Sequence, residues 1–287
     1  MPTVRHISQR IRGIRNIQHI TRAMKLVAAA RLLKAQERLE AARPYARKMA
    51  EVTLDLAALT GWSYNPLLRP HAQARRVVVV IFTGDRGLCG GYHERVVKRA
   101  LQFVEQIGSK QEVRLYVAGR QGARVLRREG RRADYVFTES ARGVSFTTAK
   151  ELAGRLIEEY RSERCDSIYL VYAKFYSVLF QRPRVFQLLP IDPDLAKERT
   201  PQGLFLFEPS RSEVIYGILP RYVESEVFRA FLECEVGELG ARMTAMGNAT
   251  ENAGEMIDRL LLEYHRARQA QITREIAEVV GGAEVVR

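Results

Sequence analysis

A chain of 287 residues that is 46% apolar has enough material for two structural units and a buried core in at least one of them, which excludes a disordered chain. No stretch approaches the ~18 consecutive apolar residues of a membrane span. The first residues set Arg5, Arg10, Arg12 and Arg15 among isoleucines and lack a secretory apolar core, so the chain is expected to stay in the cytoplasm without direct membrane insertion. The net charge of +13 points to an acidic partner, and the excess is local: residues 1–50 hold twelve Lys or Arg against Glu37 and Glu40, whereas residues 210–287 hold nine Arg against thirteen acids.

In chain order the first element is a very long helix. Apolar residues recur at Ile7, Ile11, Ile14, Ile17, Ile20, Met24 and Val27. After Ala28 the steps settle to fours and threes through Leu32, Ala35, Leu39, Ala42, Ala46 and Met49, and on to Leu59. This is a heptad seam sustained well beyond ordinary helix length. Pro44 falls inside it, and because the apolar phase continues past the proline, a kink is expected there instead of an end. The stretch 62–70, with Asn65-Pro66 and Arg69-Pro70, closes the helix.

The middle of the chain alternates strand and helix. Residues 75–83, RRVVVVIFT, read as a buried strand; the glycine-rich turn GDRGLCGG at 84–91 leads into a helix over 92–106. A strand follows at 113–118, helices near 121–129 and 147–163, a strand at 167–173, and an edge or antiparallel strand at 185–189. Such alternation predicts a mostly parallel, Rossmann-like α/β sheet.

The last third repeats the heptad through Leu232, Val236, Leu239, Met243, Met246, Thr250, Ala253, Ile257, Leu260, Tyr264 and Ala267, then Ile272, Ile276 and Val279. Ser210 and Glu213 have capping-box spacing, and Pro220 is expected to separate a short first helix from the long one. At 1.5 Å per residue each terminal helix reaches roughly 85 to 90 Å. A narrow apolar seam cannot stay in water, and the ends carry opposite charge, so they are expected to pair as an antiparallel coiled coil. Two ordinary helices in a bundle are the plainer alternative. The fold class is therefore α/β, a long antiparallel two-helix coiled coil from both termini plus a central Rossmann-like domain. The expected divisions are 1–62, 75–190, a connector at 191–209, and 210–287.

The chemistry-bearing residues form no recognisable active site. The turn fails the P-loop pattern, because Cys89 stands where GxxxxGK[ST] requires the second glycine, and glycines at 84, 87, 90 and 91 fail GxGxxG. Those glycines suit a tight turn or the close approach of another backbone. His6, His19, His71, His93 and His265 have no metal spacing, and there is no GxSxG. Cys89, Cys165 and Cys234 are too few and too far apart for a disulfide framework and read as small buried thiols. Asp85 and Arg86 are candidates for an ion pair or a partner contact. No cofactor and no metal are expected.

Five strings carry a resemblance: HITRAMKLVAAARLLKAQ (19–36), TGDRGLCGGY (83–92), PRYVESEVF (220–228), ARMTAMGNATENAGEMI (241–257) and YHRARQAQITREIAEVVGGA (264–283). Together, in order and across nearly the whole chain, they resemble the gamma subunit of the F-type rotary ATP synthase. The resemblance implies a rotor shaft inside a hexamer of alpha and beta subunits, in a 3:3:1 assembly. Its foot meets the epsilon subunit and the ring of c subunits at the cytoplasmic face of a bacterial inner membrane. It implies catalysis at beta and none in this chain. By resemblance Arg268 and Gln269 contact a beta loop, with Met24 and Lys25 on the matching stretch of the opposite helix. Val279, Val280 and Ala283 belong to a tip held in an apolar bearing, and Phe205, Leu206, Phe207 and Glu208 lie near the c ring.

The sequence departs from the family pattern at Gly237, Gly240 and Gly247, each costing about 1 kcal/mol of local helix stability relative to alanine, and at His93 and Ala30. The cysteine-pair insert of chloroplast forms is absent, so thiol regulation of that kind is not expected. Two rival readings stand beside this one. A nucleic-acid-binding protein would use the basic first helix on phosphates, with salt-sensitive binding; a Rossmann-like enzyme with a helical oligomerisation arm would bind nucleotide.

Overall fold

The computed structural model describes residues 3–60, 65–69, 71, 75–108, 111–138, 144–191, 207, 208 and 210–285. Among these, helix α1 is Val4–Thr60 and helix α5 is Arg211–Val285; between them come β1 Arg76–Phe82, α2 Tyr92–Ile107, β2 Glu112–Ala118, α3 Arg120–Arg128, β3 Tyr135–Phe137, α4 Phe146–Arg161, β4 Ser167–Phe175 and β5 Gln181–Leu189. The chain divides into two units, residues 1–29 with 242–287, and residues 30–241. Both long helices pass from one unit into the other.

Neither internal proline ends a helix. α1 runs through Pro44 as expected, but the division expected at Pro220 does not occur, and α5 is continuous from Arg211. A helical proline frees the carbonyl four residues earlier. At Pro44 that carbonyl belongs to exposed Glu40, and at Pro220 to half-exposed Tyr216. Buried Leu219, Tyr222 and Val223 hold α5 in place around Pro220. The Ser210–Glu213 cap forms in part: the Ser210 hydroxyl accepts the Glu213 N–H at 3.3 Å, and the same hydroxyl lies 3.3 Å from the Glu213 carboxylate.

In the unit of residues 30–241 the sheet order is β3-β2-β1-β4-β5, with β5 antiparallel to β4 and the others parallel. β1 is buried along its length after Arg76, which accounts for its continuous run of valines. The three-residue β3 was not expected, being too short to show a period. It pairs with β2, and the Arg155 guanidinium lies 3.8 Å from the centre of the Tyr135 ring. All three cysteines are buried thiols outside any disulfide, and burial pushes the Cys165 thiol up to about 12.

Asp166, at the mouth of β4, fastens the start of the sheet. Its carboxylate accepts the backbone N–H groups of Arg75 at 3.0 Å and Arg76 at 2.8 Å, the Arg76 guanidinium at 2.8 Å, and lies 3.1 Å from His71 Nδ1. Burial alone would raise this carboxyl, but the bonds from Arg76, His71 and Arg75 hold it well below the usual carboxylate range. A depressed carboxyl stabilises the fold fully above its unfolded value near 3.9, and the contribution fades as pH falls below that towards the folded value. Asp166→Asn should cost about 2–3 kcal/mol in urea unfolding at pH 7. The gap from the parent should narrow at pH 3.

α5 is the core helix of this unit: Val223, Val227, Ala230, Phe231, Leu232 and Val236 are fully buried. Phe231 meets Phe82 edge-on at 4.9 Å, and the Tyr92 hydroxyl donates to the Cys234 carbonyl at 3.1 Å. This packing explains Gly237. A Cβ there would lie 2.9 Å from the Tyr92 hydroxyl and 3.0 Å from its ring, and that ring is fully buried. At Gly247 the nearest atoms are the flexible Lys25 tail at 3.6 Å. Thermal denaturation should therefore give opposite signs: Gly237→Ala loses about 1–3 kcal/mol by overpacking, whereas Gly247→Ala gains about 1 kcal/mol of helix propensity.

Candidate functional site

In the unit formed by residues 1–29 and 242–287, α1 and α5 run antiparallel. Ile7 and Ile11 form a buried cluster with Ile257 and Leu260, flanked by Ile14, Tyr264 and Ala267. Further along, the Gln18 amide donates to the Thr250 carbonyl at 3.4 Å, the Thr21 and Thr250 hydroxyls lie 2.8 Å apart, and Lys25 rests against Gly247. The α5 side of the seam follows the expected residues as far as Ala267, but Ile272 and Ile276, also expected on it, are 43% and 58% exposed.

The α1 side does not. Ile17, Ile20 and Val27 are 55%, 59% and 52% exposed, and the positions facing α5 are Gln18, Thr21 and Lys25. The seam proper keeps strict four-three steps through Ile7, Ile11, Ile14, Gln18, Thr21, Lys25 and Ala28. Consecutive threes from Ile11 to Ile20 rotate off that face, because three residues fall short of a full turn. Ile17, Ile20 and Val27, with half-buried Met24 among them, instead make a second stripe at steps of three and four, adjacent to the seam and largely open to solvent.

Charge pairing between the helices is also narrower than expected. In residues 30–241 Arg38 pairs with Glu235 at 3.2 Å and Arg43 reaches Glu233 at 3.9 Å. In the other unit, among the described residues, Arg5, Arg10, Arg12, Arg15 and Arg22 are exposed with no acidic group within ion-pair distance. Apolar and hydroxyl contacts hold that stretch of coil together, so its positive charge stays available.

α5 outruns its partner. The last half-buried position on the seam is Ala267, opposite the start of α1 at Val4, and residues 268–277 are all exposed. Arg268 and Gln269 are the first residues of this unpaired stretch. The Gln269 backbone carbonyl accepts the Thr273 hydroxyl at 2.9 Å, and the residue is exposed. Met24 is half-buried and Lys25 exposed, but the register sets Lys25 against Gly247, ~30 Å along the axis from Arg268. The pairs therefore do not meet at one level. The side chains of Val279, Val280 and Ala283, and residues Phe205 and Leu206, lie outside the described residues. Phe207 is half-buried under the Arg211 guanidinium at 5.1 Å, and Glu208 is exposed.

The crevice beyond the carboxyl ends of the strands is where α/β sheets of this order bind nucleotides. Here α5 occupies it. Glu238 approaches Gly84 so closely that a Cβ would fall 1.7 Å from its carboxylate oxygen, and Phe231 lies against both Phe82 and Phe137. The glycine turn serves this packing and caps α3: Asp85 accepts the Arg120 N–H at 2.7 Å and pairs with its guanidinium at 3.4 Å, and the Gly84 carbonyl accepts the Gln121 N–H at 3.1 Å. The approach that the glycines permit is thus by a helix of the same chain. His93 is buried with its Nε2 donating to the Arg86 carbonyl at 3.0 Å.

Comparison with known proteins agrees across the chain. The profile of the family described as ATP synthase matches residues 3–286. The ATP synthase gamma chain of Heliobacterium modesticaldum is 44% identical over 290 residues, covering 99% of each chain, and that of Desulfitobacterium hafniense is 44% identical over 286 residues, covering 100% of each. Among solved structures, a chain of the Tetrahymena thermophila mitochondrial ATP synthase central stalk and c ring superposes with a TM-score of 0.61 at 26% identity, over 80% of this chain and 99% of that one. A chain of the Euglena gracilis mitochondrial ATP synthase, from its OSCP/F1/c-ring assembly, gives 0.68 at 15% identity over 99% and 94%, a likeness of fold.

Proposed function

We propose that this chain, which belongs to the ATP synthase gamma-chain family, is the central rotor shaft of an F-type ATP synthase. It couples ion-driven rotation of a c ring to ATP synthesis, or hydrolysis, at beta-subunit sites, with alpha, beta and epsilon subunits and the c ring as partners. The observation that carries this reading is the antiparallel α1–α5 coil with a second apolar stripe left open beside its seam. A soluble chain gains nothing from a solvent-facing row of isoleucines, whereas a shaft enclosed by a ring of subunits buries it. Unpaired arginines along the same stretch suit acidic surfaces on those partners. Torque then passes as differential contact with alternative partner conformations.

The chain itself is non-catalytic in this reading, supported by α5 filling the crevice where a nucleotide would sit. Among the described residues no helix is long and apolar enough to cross a membrane; the proposed location is peripheral, on the cytoplasmic face of a bacterial inner membrane. The functional divisions proposed are the coil helices 1–62 and 210–287, the α/β domain 75–190 and a connector at 191–209. Phe205, Leu206, Phe207 and Glu208 are assigned to the foot, and Val279, Val280 and Ala283 to the tip in its bearing.

Arg268 and Gln269 are proposed as beta contacts, with Met24 and Lys25 meeting the hexamer at a lower level. The exposure of the first pair, beyond the last seam residue, supports this. Co-purification from native membranes should return alpha, beta and this chain at 3:3:1; recovery of nucleic acid without ATPase subunits defeats the proposal. The double variant Arg268→Ala/Gln269→Ala should cut coupled turnover by about tenfold, the equivalent of ~1.4 kcal/mol, while leaving that stoichiometry intact. Undiminished turnover removes the contact assignment.

A further inference from the structure

We infer that the tip of the β4–β5 hairpin, within residues 30–241, docks into an acidic, apolar-lined socket on the alpha or beta subunits that enclose the shaft; the inference rests on the rotor reading. The tip is a closed turn. The Tyr176 and Ser177 N–H groups donate to the Phe180 carbonyl at 3.2 and 3.1 Å, the Phe180 N–H donates to the Ser177 carbonyl at 3.2 Å, and the Gln181 side-chain amide donates to the Ser177 and Val178 carbonyls. Val178 and Leu179 thus hold the central positions of a tight turn, where Gly, Asn, Asp or Ser serve the backbone better. Leu179 is 83% exposed, Phe180 57% and Tyr176 55%, and the two rings lie 5.6 Å apart. The isolated fold gains little from holding such side chains in water at a turn.

The charges beside the tip call for an acidic occupant. Lys174 and Arg182 stand directly opposite each other across the β4–β5 pair, an arrangement in which like charges destabilise a sheet. Among the described residues neither has a carboxylate within ion-pair distance. Glu233, which reaches this end of β4, is buried and accepts the Phe175 N–H at 2.6 Å. The Lys174 ammonium lies 5.2 Å from the centre of the Tyr176 ring, so the cations and the apolar tip form one surface. An aromatic and aliphatic anchor with a basic flank fits a pocket rimmed by carboxylates. A second copy of this chain would bring the same cations together, and position disfavours a lipid surface. A Cβ built on Gly240 would lie 3.5 Å from the Val178 carbonyl, so the tip stands beside Gly240, ~45 Å along α5 from Arg211 and the Phe207 of the proposed foot. Beyond Gly240 the same helix continues into the coil that the ring of subunits is proposed to enclose.

Leu179→Cys, labelled with a benzophenone maleimide and reconstituted with alpha and beta subunits, should photo-crosslink to alpha or beta; the native cysteines are buried and should escape the label. Leu179→Asn/Phe180→Ser suits the turn and should leave the melting temperature of the isolated chain within about 2 °C. The same variant should weaken association with those subunits at least about tenfold. Lys174→Gln/Arg182→Gln should weaken association by about threefold or more at low ionic strength, whereas Arg124→Gln/Arg127→Gln, which removes equal charge from the exposed side of α3, should change it less than about twofold. Undiminished association of Leu179→Asn/Phe180→Ser, or equal weakening in the α3 control, overturns the inference. A parent chain that assembles while its labelled tip crosslinks to neither subunit, or only to added phosphatidylglycerol vesicles or a second copy, overturns it and leaves the rotor reading standing. A parent chain that forms no complex with alpha and beta overturns both.

Discussion

Ile17→Asp/Ile20→Asp should leave the isolated chain folded and weaken its association with alpha and beta subunits by at least about 100-fold, some 2.7 kcal/mol. Both side chains are more than half exposed, so their replacement in the free chain removes little packing, and circular dichroism melts should move by no more than a few degrees. In the proposed assembly the same positions face a partner surface. Full burial of an isoleucine contributes about 1.5–3 kcal/mol, of which the free chain already realises less than half. An aspartate there would further bury a carboxylate without a partner. Gel filtration of reconstituted complexes at fixed subunit concentration reads the loss. Normal assembly of this variant would mean that the second stripe is not enclosed.

Gly119→Ala should be the most destabilising single-methyl change in the α/β unit, costing about 3–5 kcal/mol and lowering the melting temperature by roughly 10 °C. Gly119 has φ = +99°, and a Cβ there would sit 2.3 Å from the Thr83 carbonyl oxygen, a backbone atom of the adjoining strand end. The Thr83 hydroxyl cannot retreat either, since it donates to the Ala118 carbonyl at 2.8 Å and accepts the Gly122 N–H at 3.0 Å. Positive φ contributes about 1–2 kcal/mol of this and the clash the remainder. Gly130, at φ = +73° with no atom within 4 Å of a built Cβ, is the control. Its alanine variant should lose only the conformational part, so the difference between the two variants isolates the clash.

The two predictions draw on different levels of legibility. Gly119 stood in no string that pattern reasoning singled out, because its requirement comes from Thr83, thirty-six positions earlier and across a β1–β2 pair. Glycines 84 and 237 were visible, yet their partners, Glu238 and Tyr92, belong to helices that only the folded chain brings together. Ile17 and Ile20 were read correctly as apolar and helical but assigned to the wrong stripe. A signal was present: the steps from Ile11 to Ile14, Ile17 and Ile20 are consecutive threes, and a heptad alternates.

By itself the sequence determined the long helices at both ends, their antiparallel pairing, the α5 seam from Thr250 to Ala267 though not its continuation to Ile272 and Ile276, and the order of the main strands and helices between. Those features follow from periodicity and from chain-local preference, which a linear string contains. The tertiary structure alone decided which α1 stripe faces α5, that α5 passes through Pro220, that β3 exists, and that α5 fills the crevice at the strand ends. The physical reason is the same in each case. Two stripes of equal period, a tolerated proline, a three-residue strand and an occupied crevice are nearly neutral locally, so packing against distant residues selects among the outcomes. At Thr21 it selected a hydroxyl pair with Thr250 for the seam and left Ile20 facing outward.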